Sequence, residues 1–332
     1  FFGTLYQLLL SISQDNDQIS QLASINHEYS ITPLIEMQFY GVSVDLVFAR
    51  LPDVCSLEGD ILSNGLSKRE NLSNDSLLRN MDEKMRRSYN GSRNAEMILN
   101  SVIGDISIES DEVYEKLNSF RNLLRCVKLL TKGQGLNENK YGYPGGIAYA
   151  ILCAKIVQMF PKYSLVSLLE RFLYIYSYEW QWDLWPVRIV NEIAGLDNNI
   201  NFNKKNIHGI GMKGFNPANI NEMMLATIMT PAWPQMNSTF NISYSTRDAM
   251  INIFKDKHKE LNDLINKKNE SDNLNIQNSW IYFFKNFDFF NNYNQFINIV
   301  VVGNEEEQFL KWKGFVEAKI RLFSDFAKVW SE

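Results

Sequence analysis

The chain has 332 residues and a mass of 38.6 kDa, more than one ordinary core holds and enough for two or three domains. Apolar residues make up 45%, charged residues 21% and aromatic residues 13%, with 17 Gly and 8 Pro, which excludes collagen-like, disordered and disulfide-scaffold classes. The net charge of −5 argues against nonspecific coating of nucleic acid, which needs a basic excess, while a local basic stripe stays open.

Cys55, Cys126 and Cys153 lie far apart without a CxxC, and His27, His208 and His258 are equally scattered. A structural zinc site or disulfide framework is not expected, and a reducing compartment fits best. The longest apolar run, Gly145 to Ala154, meets Lys155 far short of the ~20 residues of a membrane span, so no membrane association is expected. The chain opens on Phe1-Phe2 without a Met or a signal peptide, which points to a beginning upstream.

Residues 33–51 read as a β-hairpin. Leu34 to Phe39 alternates around Glu36 and Gln38, and Tyr40-Gly41 offers the turn. The second strand puts Val44, Leu46 and Phe48 on one face and Ser43, Asp45 and Val47 on the other. Residues 57–76 are Ser- and Asn-rich and read as a loop. From about residue 77 to 180 the spacing turns helical, with Leu165, Leu168, Leu169, Phe172 and Tyr176 on one face and aromatics crowding towards Trp180, Trp182 and Trp185.

Residues 186–222 lose periodicity and read as a long irregular connection. Ser245-Thr246 caps a helix expected to reach about residue 266, and residues 266–279 form the best linker. Phe296 to Val302 reads as a β-branched strand and Gly303-Asn304 as a turn. Glu305-Glu306-Glu307 then opens a helix with an apolar stripe of Phe309, Trp312, Val316, Ile320 and Phe323, its end charges suiting the helix dipole. This end of the chain is expected to be a small α+β module.

Gly209-Ile210-Gly211-Met212-Lys213-Gly214 fits GxGxxG by letter. A dinucleotide loop needs a buried strand before it and a helix after it, whereas Asn203-Lys204-Lys205-Asn206 precedes and Pro217 follows. It is set aside. Arg121, Arg125, Lys128 and Lys132 fall on one helix face opposite Leu123, Val127 and Leu130. Alone this is a solvated face. Followed by Gly142-Tyr143-Pro144-Gly145-Gly146 and an apolar helix from Ile147, it also reads as a triphosphate cradle, because free N–H groups at a glycine-rich helix start favour anions. Asp45, in mid-strand, either faces solvent or holds a metal; one carboxylate does not build a two-metal site. The rigid loop from Thr230 to Phe240 lines a site or forms a domain joint.

Phe39 to Leu51, Asn74 to Asp82, Ser88-Tyr89-Asn90-Gly91-Ser92-Arg93, the Thr230–Ser243 loop and Leu310 to Leu322, in this order, resemble a eukaryotic poly(A) polymerase. The resemblance runs over nearly the whole chain. It implies an α+β protein with a partial nucleotidyltransferase (palm) sheet in residues 1–75, a helical central domain in 76–245 and a C-terminal RRM-like RNA-binding domain in 246–332. The implied activity is template-independent transfer of AMP from ATP to mRNA 3′ ends by a two-metal mechanism using Mg²⁺ or Mn²⁺.

By motif match, Asp45 is the third metal carboxylate and Asn90 the ribose- or triphosphate-contacting Asn. Lys128 matches the phosphate-binding Lys, Asn139 an adenine-side contact, and Gly145, Gly146 and Ile147 the loop under the adenine. Lys132 and Thr230 are further carry-overs. The chain departs from the family at Asn137, where a Tyr stacks near the nucleotide, and at Pro144, where the family has an apolar residue. The other two carboxylates, an Asp-x-Asp, are expected before residue 1, and residues 1–332 alone are expected to be inactive. The resemblance further implies a monomer in the nucleus, working with the RNA 3′ end and cleavage and polyadenylation factors. The alternatives are a non-catalytic RNA-binding or scaffold protein and a terminal uridylyltransferase.

Overall fold

The computed structural model describes residues 2–15, 18–25, 34–50, 78, 81–104, 111–189, 225–233, 235–266, 273–292 and 297–329. The chain divides into two compact units. One comprises Phe1–Met97, Ile193–Gly214 and Ala232–Pro234, the other Ile98–Glu192, Phe215–Pro231 and Gln235–Glu332.

The first unit opens with helix α1 (Phe2–Asp15), which packs on an antiparallel sheet of order β1-β2-β3. The strands are β1 (Ile19–Ile25), β2 (Leu34–Phe39) and β3 (Val42–Val47). The expected hairpin is β2–β3. Its turn residues Tyr40 and Gly41 have φ of 49° and 76°, the paired positive values of a type I′ turn, whose twist matches that of the strands. Val44, Leu46 and Phe48 are half-buried while Ser43, Asp45 and Val47 are exposed, as the alternation requires. Ile35 of the central strand is fully buried. Neither α1 nor β1 was anticipated; Ser20, Gln21 and Ser24 blur the alternation of β1, and a bulge between Ser20 and Ala23 interrupts its register. Helix α2 (Glu83–Ile103) is capped by Asp82, whose Oδ1 accepts the Met85 N–H at 2.9 Å.

The second unit is helical: α3 (Asp111–Gly133), a 3₁₀ turn (Asn139–Tyr141), α4 (Gly146–Met159), α5 (Leu165–Tyr174) running into a π-helical turn (Ile175–Glu179), α6 (Tyr244–Asn266), α7 (Asn273–Phe283), α8 (Phe289–Asn292) and α9 (Glu306–Val329). α4 is the central helix. Ala148, Tyr149, Ile151, Leu152, Cys153, Ala154, Ile156 and Val157 are all buried, so it is apolar nearly all round. Burial raises the Cys153 thiol pKa well above its ordinary value; Cys126 adds to this and Lys128 opposes it. Phe172 and Tyr176 pack with Phe254, Trp180 and Trp182, and His258 Nε2 stands 2.9 Å from Glu170 Oε1 between α5 and α6. Helices therefore occupy most of the described residues between 77 and 180, where the sequence spacing reads as helical. No helix of the described residues is long and apolar enough to cross a membrane.

Three expectations need correction. α6 is capped by Ser243, not by Ser245-Thr246. The Thr246 N–H donates to Ser243 Oγ at 3.3 Å and the Ser243 N–H to Thr246 Oγ1 at 2.9 Å, a capping box with Thr at its third helical position. The linker read over residues 266–279 is helical from Asn273, within α7; residues 267–272 lie outside the described residues. Residues 297–302 are not a strand. Their β-branched side chains lack a partner ladder among the described residues, and β-propensity is realised only in pairing. Among the described residues the architecture is thus mixed helix with a small antiparallel sheet. Helix α9 matches its expected start, with Phe309, Val316 and Ile320 half-buried and Trp312 exposed but stacked on Phe315. The loop at 57–76, the GxGxxG letters at 209–214 and most of 186–222 lie outside the described residues.

Candidate nucleotide site

Arg121, Arg125, Lys128 and Lys132 line the exposed face of α3, while Leu123, Val127 and Leu130 face the core. Among the described residues none of the four cations pairs with a carboxylate; Arg125 donates only to the Asn122 amide oxygen, at 3.2 Å.

Lys128 reaches the start of α4. A Cβ built on Gly146 would lie 3.7 Å from both Cε and Nζ of Lys128. Gly145 is the N-cap, extended at φ −82° and ψ 179°, and no side chain caps it. The first N–H groups of a helix have no intrahelical partner and carry its positive end. An ammonium placed there meets charge of its own sign, which an anion between them resolves. The helix start is anchored from below, where the buried Tyr149 hydroxyl donates to the Leu136 carbonyl at 2.5 Å.

The turn before α4 is tightly specified. Glu138 has φ +81°, sparsely populated for a residue with a side chain. Asn139 Oδ1 is buried without a hydrogen-bond partner among the described residues, and the Asn139 carbonyl accepts from Asn241 Nδ2 at 3.1 Å. Gly142 has φ +84°, and a Cβ there would crowd Asn241 O at 3.1 Å and Thr246 Cγ2 at 3.2 Å. Asn137 is half-buried and Pro144 buried. Lys140 lies 3.2 Å from Glu138 and 3.7 Å from Glu317 of α9.

Thr230 closes its own loop. Its N–H donates to Met236 O and its Oγ1 accepts the Met236 N–H, both at 2.9 Å.

In the first unit, Asp45 is exposed on β3 directly opposite Glu36 of β2. Like charges facing each other across an antiparallel pair repel. Among the described residues no group of three or more His, Cys, Asp or Glu side chains forms a metal site. Two carboxylates on one sheet face do not supply the six oxygens of Mg²⁺, so the described residues do not complete a metal centre. Asn90 is buried on α2, and its Oδ1 accepts from Arg93 Nη1 at 2.8 Å.

Of the sequence-derived candidates, the second unit gathers Lys128 with Gly145, Gly146 and Ile147, and sets Asn139 on the turn that leads into them. Lys132 lies one turn further along α3, exposed, and Thr230 belongs to a separately closed loop. Asp45 and Asn90 belong to the first unit. Glu36, Arg93 and Asn241 were missed. Only the i, i+3 spacing of Asn90 and Arg93 signalled a shared helix face, and it did not reveal that this face is buried.

The poly(A) polymerase nucleotidyltransferase domain model matches residues 2–102, the poly(A) polymerase central domain model residues 119–277, and the poly(A) polymerase predicted RNA binding domain model residues 288–326. The chain is 29% identical over 324 residues to poly(A) polymerase PAPa of Candida albicans, covering 97% of this chain and 49% of that protein. It is 29% identical to the poly(A) polymerase of Dictyostelium discoideum, with 97% and 33% covered, and 29% identical to nuclear poly(A) polymerase 1 of Arabidopsis thaliana, with 97% and 38% covered. The chain therefore spans half or less of the length of these relatives. With three models of one polymerase following one another along the chain, and relatives of that kind matching 97% of it, the chain belongs to the eukaryotic poly(A) polymerase family.

Proposed function

We propose that the protein is a polynucleotide adenylyltransferase, adding AMP from ATP to RNA 3′ ends without a template. The observation that carries the reading is the Lys128 ammonium against the side-chain-free N-terminus of α4, two positive ends that a triphosphate neutralises together. The base lies against Gly145, Gly146 and Ile147, where glycines admit close approach. Asn139 Oδ1, a buried acceptor without a partner among the described residues, takes the exocyclic amine of adenine. Uracil presents a carbonyl at the corresponding position, which favours adenylyl over uridylyl transfer. Asn90 contacts the ribose or triphosphate, and Lys132 and Thr230 flank the nucleotide. Asp45 is the carboxylate we assign to the Mg²⁺ or Mn²⁺ site implied by the family.

The proposal extends to an RRM-like C-terminal module contacting RNA, to a monomeric nuclear protein and to 3′-end cleavage and polyadenylation partners. Of these, the RNA contact is supported by the family's RNA binding domain model over 288–326 and the nuclear location by the name of the Arabidopsis relative. The test is incorporation by the full-length protein of each of the four nucleoside triphosphates on an RNA primer. ATP-selective extension is expected. Selective UTP extension would replace the reading with uridylyl transfer, and RNA binding without extension would replace it with a scaffold.

A further inference from the structure

Arg93 is the largest fully buried side chain among the described residues, 1% exposed, yet it carries a full charge. Burying a guanidinium is costly unless its donors are met. Nη1 donates to Asn90 Oδ1 at 2.8 Å and to the Trp233 carbonyl at 2.5 Å, which commits both hydrogens of that nitrogen. The neighbouring residue adds a third tie, the Ala232 N–H donating to Asn94 Oδ1 at 2.9 Å. Asn90, Arg93, Asn94 and Ala232–Trp233 thus form one buried polar cluster within the first unit.

A guanidinium only donates. The Asn90 atom facing it is therefore the amide oxygen, and the NH₂ group is turned away. Nδ2 has no hydrogen-bond partner among the described residues. We propose that Arg93 is a positioning residue that fixes Asn90 as a hydrogen-bond donor, so that Asn90 reads an oxygen acceptor of the nucleotide, a phosphate oxygen or a ribose hydroxyl, and not a donor on the base. This rests on the reading that Asn90 contacts the nucleotide. The shared Nη1 also makes the Trp233 carbonyl part of the same device, because the planar fork cannot turn away from one acceptor without losing the other.

The test is ATP affinity of the full-length protein, with melting temperature as the control for folding. Asn90→Ala and Asn90→Asp are both expected to weaken ATP by about tenfold, Asp at least as much as Ala, because Asp satisfies Arg93 and leaves no donor. Arg93→Met is expected to weaken ATP in the wild-type background and to add little in the Asn90→Ala background, with Arg93→Lys recovering only part of the loss. Inorganic triphosphate and 2′-deoxyATP separate the two acceptors: loss of triphosphate affinity in Asn90→Ala assigns a phosphate oxygen, and a loss seen with ATP but not 2′-deoxyATP assigns the ribose. An Asn90→Asp protein that binds ATP normally while Asn90→Ala is weak overturns the orientation alone, and it decides the matter even where Arg93→Met does not fold. Arg93→Met effects of equal size in both backgrounds also overturn it. Unchanged affinity in Asn90→Ala overturns the nucleotide-contact reading beneath it.

Discussion

The ammonium of Lys128 lies over the first residue of α4, with Cε and Nζ each 3.7 Å from where a Cβ of Gly146 would stand. Nothing in folding favours this. A cation at a helix N-terminus opposes the dipole, and the other cations of the stripe add to the repulsion. Lys128→Ala is expected to raise the KM for ATP by about tenfold while leaving thermal stability without nucleotide unchanged or higher. Lys128→Arg restores the charge but not the compact ammonium, so recovery is incomplete. Steady-state kinetics beside thermal melts check both halves, and an unchanged KM returns the stripe to a solvated face.

Asp45 faces Glu36 across the β2–β3 ladder with both side chains exposed. Removing either charge relieves a like-charge pair. Asp45→Asn in the full-length protein is expected to abolish AMP addition with the melting temperature equal to or slightly above wild type. Primer-extension and melting measurements on the same preparation decide it: near-normal extension removes Asp45 from the catalytic set, and a large fall in melting temperature makes its role structural.

Asn137 is half-buried on the segment leading to the Asn139 turn, at the position where the family resemblance places a stacking Tyr. An aromatic face under a base contributes about 1–3 kcal/mol. Asn137→Tyr is expected to lower the KM for ATP about fivefold or more, with little change in kcat. Nucleotide titrations of primer extension measure this, and an unaltered KM would mean that the base does not pass over residue 137.

The capping box of α6 and the Gly142 turn meet at Thr246. Ser243→Ala is expected to cost about 0.5–2 kcal/mol, since it leaves a first-turn N–H without its acceptor. Gly142→Ala combines a side chain at φ +84° with contacts near 3.1 Å to Asn241 O, and should cost at least as much. Urea unfolding of each variant gives the numbers. Gly142→Ala is further expected to weaken ATP, because the same turn carries Asn139, whereas Ser243→Ala should leave ATP affinity close to wild type.

Much of this molecule is determined by local chemistry and is therefore written along the chain. The β2–β3 hairpin follows from a two-residue period and a Tyr-Gly turn. The face of α3 that carries Arg121, Arg125, Lys128 and Lys132 follows from a 3.6-residue period, and the resemblance to the polymerase family rests on ordered short motifs. Tertiary structure decided what local chemistry leaves open. Residues 297–302 have the composition of a strand, but a strand exists only where a partner completes its hydrogen bonds, and none of the described residues does so. Lys128 on its own read as one cation of a solvated face; packing α3 beside the start of α4 put its ammonium against Gly146. Arg93 enters the sequence reading only as the end of the Ser88–Arg93 stretch; folding buried it and brought the Trp233 carbonyl, 140 positions along the chain, within hydrogen-bonding distance. Spacing along a chain determines which side chains share a face. Which face is buried, and which distant backbone atom a buried charge must find, is decided only when the elements pack.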